Sequence, residues 1–202
     1  VGLLHAVHAL LGQMPSKQDL ASEGIHIEQE VLRETVGSQD QVSVAYGGLN
    51  HISVLPNGAI SVRPVTVAPG RLEELGAHLM LFYTGIKRTS SDVAGTYVAN
   101  LQDKKRQLRI LMELVDESIR VLGSRQDLCA FGELLDEAWQ AKRSLSPSVS
   151  NAEVDEIYRQ ARAAGAIGGK LTGAGGGGFV LLFVPPERQE SVIKALGDLC
   201  VE

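Results

Sequence analysis

Cysteine is almost absent: the 202 residues hold only Cys129 and Cys200, far apart and without a C-x-x-C spacing. That argues against a thiolate zinc site or a disulfide framework and fits a reducing compartment, so a cytoplasmic location is expected. Long hydrophobic runs are missing too. No stretch reaches the roughly 18 apolar residues a membrane span needs, and no signal peptide opens the chain. Basic residues are outnumbered, 19 Lys and Arg against 24 Asp and Glu, for a net charge of −5 at pH 7. Such an acidic balance argues against nucleic acid or an anionic membrane as a partner, while leaving room for a local basic pocket. The start has no initiating methionine and no helix cap. Leu3, Leu4, Val7, Leu10 and Leu11 form one stripe of a helix that reads as already under way, so an upstream segment is expected.

What is present is ordinary globular material, 44% hydrophobic and 21% charged, with enough chain for a real core. Helical spacing predicts a helix over 16–33 with Ser16 as N-cap. A loop is expected at 36–41, then strands at 51–55 and 60–65 joined by the turn Pro56-Asn57-Gly58. Pro69-Gly70 marks a joint, and 79–83 reads as a short buried strand. Leu101, Leu108, Val115 and Leu122 recur every seventh residue of a long helix, and a second helix is expected over 127–142. A third amphipathic helix covers 151–164, a glycine-rich loop 165–178 and an apolar strand 179–184, before Pro185-Pro186 opens a closing helix. These elements predict an α+β sandwich, with helices on one face of a mostly antiparallel sheet.

Gly173-Ala174-Gly175-Gly176-Gly177-Gly178 contains G-x-G-x-x-G. The dinucleotide fingerprint needs a strand before the loop and a helix after it, whereas the pattern here is helix, loop, strand. A Walker loop fails as well: counting back from Gly169-Lys170, the first glycine falls on Ala164, and Leu171 stands where Ser or Thr should meet magnesium. Yet so many consecutive small residues exceed what a turn needs. They let backbone approach something closely, which points to a ligand-facing loop.

Gly168-Gly169-Lys170-Leu171-Thr172-Gly173-Ala174-Gly175-Gly176-Gly177-Gly178 resembles the third motif of the GHMP kinases (galactokinase, homoserine kinase, mevalonate kinase, phosphomevalonate kinase). Gly37-Ser38-Gln39-Asp40-Gln41 resembles the G-x-x-D-Q element of the sugar kinases in that family. The resemblance implies an ATP-dependent, magnesium-dependent kinase acting on a sugar or sugar phosphate. Heptose 7-phosphate phosphorylated at its anomeric hydroxyl is the first expectation, and fucose or galactose the alternative. It implies Asp40 as the base, Gln41 beside the substrate and Glu28 as the magnesium ligand. Gly173, Ala174, Gly175, Gly176 and Gly177 would line the substrate and phosphate site. Thr84-Gly85-Ile86-Lys87-Arg88 resembles a T-G-x-x-R element in which Arg88 holds a substrate phosphate. The implied fold is GHMP kinase-like α+β: 1–68 as the remainder of the N-terminal catalytic domain, 69–202 as a ferredoxin-like C-terminal α/β sandwich. A homodimer is compatible with it. The P-x-x-x-G-L-x-S-S-S loop that cradles ATP in the family does not occur in these residues, so they are expected not to turn over ATP alone. Two other classes of reading remain: a kinase relative that senses a ligand without chemistry, and a bare scaffold.

Overall fold

The computed structural model describes residues 1–87, 96 and 101–199. It divides into two compact units, Val1–Thr66 and Val67–Glu202.

In the first unit, α1 (Gly2–Leu10) is followed by α2 (Lys17–His26), which runs on through a π-helical turn at Ile27–Val31. The start of α2 is fixed by a capping box. Asp19 N donates to Ser16 Oγ and Ser16 N donates back to Asp19 Oδ2, both at 3.1 Å. A short helix α3 (Gln39–Tyr46) precedes the antiparallel hairpin β1 (Asn50–Val54) and β2 (Ile60–Pro64). Gly58, at φ +82°, closes the expected turn. The stripe on α1 is exposed, Leu3 to 80% and Leu10 to 86%. One expectation changes here. The segment 36–41 is not all loop, because α3 begins at Gln39 and places Asp40 in its first turn. Ser and Asp favour turns and helix starts for the same reason, a short side chain near free backbone N–H groups, so sequence alone cannot separate the two.

In the second unit, α4 (Pro69–His78) has Pro69 at its first turn, where the missing N–H costs nothing. It leads into β3 (Leu79–Tyr83). Then come α5 (Lys105–Gly123), α6 (Cys129–Arg143) and α7 (Ala152–Ala164), the strands β4 (Gly168–Leu171) and β5 (Phe179–Phe183), and α8 (Gln189–Leu196). The sheet runs β3-β5-β4, antiparallel throughout, with Phe82 and Leu171 both opposite Val180. Met80, Phe82, Val180, Leu182 and Leu171 form its buried face, packed with Trp139 of α6, Val154, Tyr158 and Ala161 of α7, and Val192 and Leu196 of α8. Burying each large apolar side chain contributes about 1.5–3 kcal/mol. The Tyr158 hydroxyl satisfies itself by donating to Asp136 Oδ1 at 2.5 Å.

β4 is the second correction. Residues 165–178 read as one loop, yet 168–171 form an edge strand, so the glycine run bridges two strands. A strand therefore does precede it, but a strand also follows, and the dinucleotide reading still fails for want of a helix after the loop. Gly168 and Gly169 hid the strand because glycine weakens β-propensity. The structure needs them for space. A Cβ on Gly168 would overlap the carbonyl oxygen of Gly132 on α6, and one on Gly169 would overlap that of Leu181. A Cβ on Gly132 would in turn sit 2.7 Å from the Phe183 ring.

Gly168→Ala must therefore push α6 off β4. It is expected to destabilise the protein by at least about 2 kcal/mol in chemical denaturation. Gly2→Ala, where no heavy atom comes within 4 Å, should change stability by no more than about 0.5 kcal/mol.

Candidate functional site

The loop between β4 and β5 is fastened from several sides. Thr84, just after β3, donates through both N (2.8 Å) and Oγ1 (2.9 Å) to Gly178 O. Gly178 N donates to Ile86 O at 3.1 Å, and Gly176 N to Val149 O at 2.9 Å. Asn151 caps α7 by accepting from Val154 N through Oδ1, while its Nδ2 donates to Gly176 O at 3.0 Å. Lys142, in the last turn of α6, donates to Leu171 O at 3.2 Å and Gly173 O at 2.5 Å. Two glycines are obligatory on space alone. A Cβ on Gly175 would lie 2.7 Å from Val149 O, and one on Gly177 would lie 2.6 Å from Ile86 O. Gly173 and Gly175 also have φ of +65° and +124°, reached readily only by glycine.

This fastening occupies carbonyls and leaves donors. Among the described residues, the N–H groups of Gly173, Ala174, Gly175 and Gly177 make no hydrogen bond. The loop lines a cavity of about 310 Å³ with Tyr83, Ile86, Lys87 and Phe179, the two aromatic rings 5.0 Å apart. Successive free N–H groups in a glycine-rich turn make a concavity suited to an anion. A larger hollow of about 740 Å³ lies beside Arg71 and the 122–127 turn. There Arg71 is engaged with Glu74 and with the carbonyls of Val121 and Gln126, while its Nε is buried without a partner. The glycine loop is the candidate site.

Lys142 and Lys170 stand beside it with no carboxylate partner among the described residues. Burial pushes the Lys142 ammonium down to about 8, helped by the charge of Lys170, and burial lowers Lys170 too. The sequence drew attention to Lys170 through the motif. It gave no signal for Lys142, which reads as an ordinary last-turn cation complementing the helix dipole. Thr84 was visible only as the first residue of the T-G-x-x-R element, and Asn151 only as the start of the helix expected over 151–164.

In the first unit the structure brings together Glu28, expected as the magnesium ligand, and Gln41 of the G-x-x-D-Q element. Gln41 is buried, and its Nε2 donates to Glu28 Oε2 at 2.5 Å. Oε1 of Gln41 is buried without a partner. Asp40 is exposed in the first turn of α3, where a carboxylate complements the helix dipole. The described residues hold no cluster of three or more His, Cys, Asp or Glu that could cage a metal ion. Glu28 nevertheless suits magnesium, which takes one or two carboxylates and completes its shell with phosphate oxygens and water. The second oxygen of Glu28 makes no hydrogen bond among the described residues. Arg88 lies outside the described residues.

Known proteins similar to this chain are kinases. Residues 111–202 match the family described as GHMP kinases C terminal. Residues 111–202 are a GHMP kinase C-terminal domain. It is 31% identical over 198 residues to a D-glycero-alpha-D-manno-heptose 7-phosphate kinase of Campylobacter jejuni, covering 97% of the chain and 58% of that protein. To a mevalonate kinase of Pyrococcus horikoshii it is 28% identical over 209 residues, covering 98% of the chain and 58% of the relative. The structure of a D-glycero-D-manno-heptose 1-phosphate kinase from Bacteriodes thetaiotaomicron superposes with a TM-score of 0.74 at 24% identity, covering 97% of this chain and 54% of that one. The fold is thus that of the GHMP kinases, and the chain spans just over half the length of these relatives. No helix among the described residues is long and apolar enough to cross a membrane.

Adding a methyl group separates the two roles of glycine in the loop. Gly173→Ala, with open space around it, should cost about 1–2 kcal/mol through its left-handed φ alone. Gly175→Ala must also displace Val149. Its larger loss of stability, and faster amide exchange across 173–178, are to be read by denaturation and hydrogen exchange.

Proposed function

We propose that the protein is a sugar or sugar-phosphate kinase that transfers the γ-phosphoryl group of ATP to a hydroxyl. The observation that carries this reading is the row of free N–H groups in the glycine loop of a GHMP kinase domain. Phosphoryl transfer asks the protein for position and charge control more than for covalent chemistry. Backbone donors fixed before the reaction stabilise charge on the phosphoryl oxygens without reorganising. Asp40 is the base that accepts the acceptor hydroxyl's proton. Its exposure leaves the carboxylate free to meet a substrate. Glu28, held by Gln41, would carry magnesium, which when bound supplies charge neutralisation on the phosphate oxygens. Arg88 would grip a phosphate already on the acceptor with its planar guanidinium.

Heptose 7-phosphate is the first acceptor to test, since the relative at 31% identity is named for it. An anomeric hydroxyl is more acidic than an ordinary alcohol, which lightens the demand on Asp40. Fucose and galactose are the alternatives, after relatives named as a fucokinase and as galactokinases. A site in the cytoplasm and a homodimer belong to the same proposal. Because the chain spans 58% of the relatives' length, activity of the whole enzyme is what is proposed. The 202 residues alone are expected to release no ADP.

The test is a coupled ADP-release assay of the whole enzyme with these three acceptors, repeated on Asp40→Asn. The substitution should lower kcat by about 10²- to 10⁴-fold, while the exposed carboxylate's loss from the first turn of α3 should cost no more than about 1 kcal/mol of stability. Undiminished turnover would remove Asp40 from the mechanism, and no ADP with any acceptor would overturn the kinase reading.

A further inference from the structure

A peptide unit is planar and trans, so its C=O and N–H point in opposite directions. Fixing the oxygen from one side fixes where the hydrogen points on the other. Two peptide units of the glycine loop are held in this way. The Gly173–Ala174 unit has its oxygen on the Lys142 ammonium at 2.5 Å, and its N–H, on Ala174, has no partner among the described residues. The Gly176–Gly177 unit has its oxygen on Asn151 Nδ2 at 3.0 Å, and its N–H, on Gly177, has no partner among the described residues. Ala174 and Gly177 both line the cavity, while Gly176, whose own N–H goes to Val149 O, does not.

The two supports differ in kind. Asn151 is neutral and is itself oriented by capping α7. Lys142 brings a positive charge, half-buried and lacking a carboxylate partner among the described residues, with Lys170 as a second cation nearby. An ammonium on a carbonyl oxygen polarises the whole peptide unit and strengthens the N–H as a donor. Its uncompensated charge also favours an anion on the far side of the loop. We propose that Lys142 is a positioning residue of the phosphate site: it orients and polarises the Gly173–Ala174 peptide so that the Ala174 N–H meets a phosphate oxygen. This rests on the phosphotransferase reading above. It adds to that reading a residue outside every motif and a cause for the loop's affinity.

Inorganic pyrophosphate is the probe, titrated into the ¹⁵N-labelled chain and followed by the amide shifts of 173–177. Lys142→Gln retains an amide donor for the loop carbonyls but removes the charge. Lys142→Arg retains the charge. We expect Lys142→Gln to weaken pyrophosphate by about tenfold or more, the loss of a charge-assisted contact. It should also move the Ala174 amide proton upfield in the free protein, with Lys142→Arg restoring both to within about threefold. Lys170→Gln, which touches no loop carbonyl, provides the same test by charge alone should Lys142→Gln fail to fold, and should weaken binding less. Unaltered pyrophosphate affinity in Lys142→Gln, or in Lys170→Gln if only that variant folds, overturns the role of the charge. Absence of any shift in the unsubstituted chain up to tens of millimolar pyrophosphate would instead overturn the phosphate-site reading itself.

Discussion

Four backbone contacts admit no side chain, and the second unit is arranged around them. Gly132 of α6 presses against Gly168 of β4, Gly169 against the Leu181 carbonyl, Gly175 against Val149 and Gly177 against Ile86. Each is a place where main chain meets main chain, or nearly so, within a layer that otherwise packs Phe82, Trp139 and Leu182 at ordinary side-chain spacing. Close packing of this kind transmits displacement because protein interiors have little free volume to absorb it. The loop is thus placed by the core, and its donors inherit the rigidity of the sheet that carries them. That is what a phosphate site needs, because donors already in position lose little on binding.

Periodicity made most of the fold legible. The strand at 79–83, the helices around 105–123, 129–143 and 152–164 and the hairpin at Gly58 all follow from apolar spacing and turn chemistry. Misreadings fell where a residue type serves two structures. Ser38 and Asp40 suit a loop or a helix start, and α3 resolved them as the latter. Gly168 and Gly169 look like loop but occupy a strand, because α6 and β5 leave no room for anything larger. The motif residues of the glycine loop were visible in the sequence. Lys142 was not: its partners Leu171 and Gly173 lie about thirty residues on, and nothing in a last-turn lysine announces a tertiary contact.

The Glu28–Gln41 pair shows how a neutral side chain can serve a charged one. Glu28 gains one strong hydrogen bond from a buried amide, and its second oxygen is unengaged among the described residues. An arginine in that place would neutralise the carboxylate and compete with a cation for it. Glutamine orients it and leaves its charge available. Its own Oε1 stays buried without a donor, a desolvation cost that stability alone would not favour.

Helix α6 carries Gly132 near one end and Lys142 near the other. Ten residues of α-helix span about 15 Å. The helix is therefore a lever: its fulcrum is the bare contact with β4, and its far tip holds a carbonyl of the glycine loop. Anything that tilts the helix at the fulcrum, whether a bulkier residue or a ligand on its outer face, is delivered as a change in the aim of one amide hydrogen. Sensitivity to distant packing is thus built into the same rod that gives the site its order.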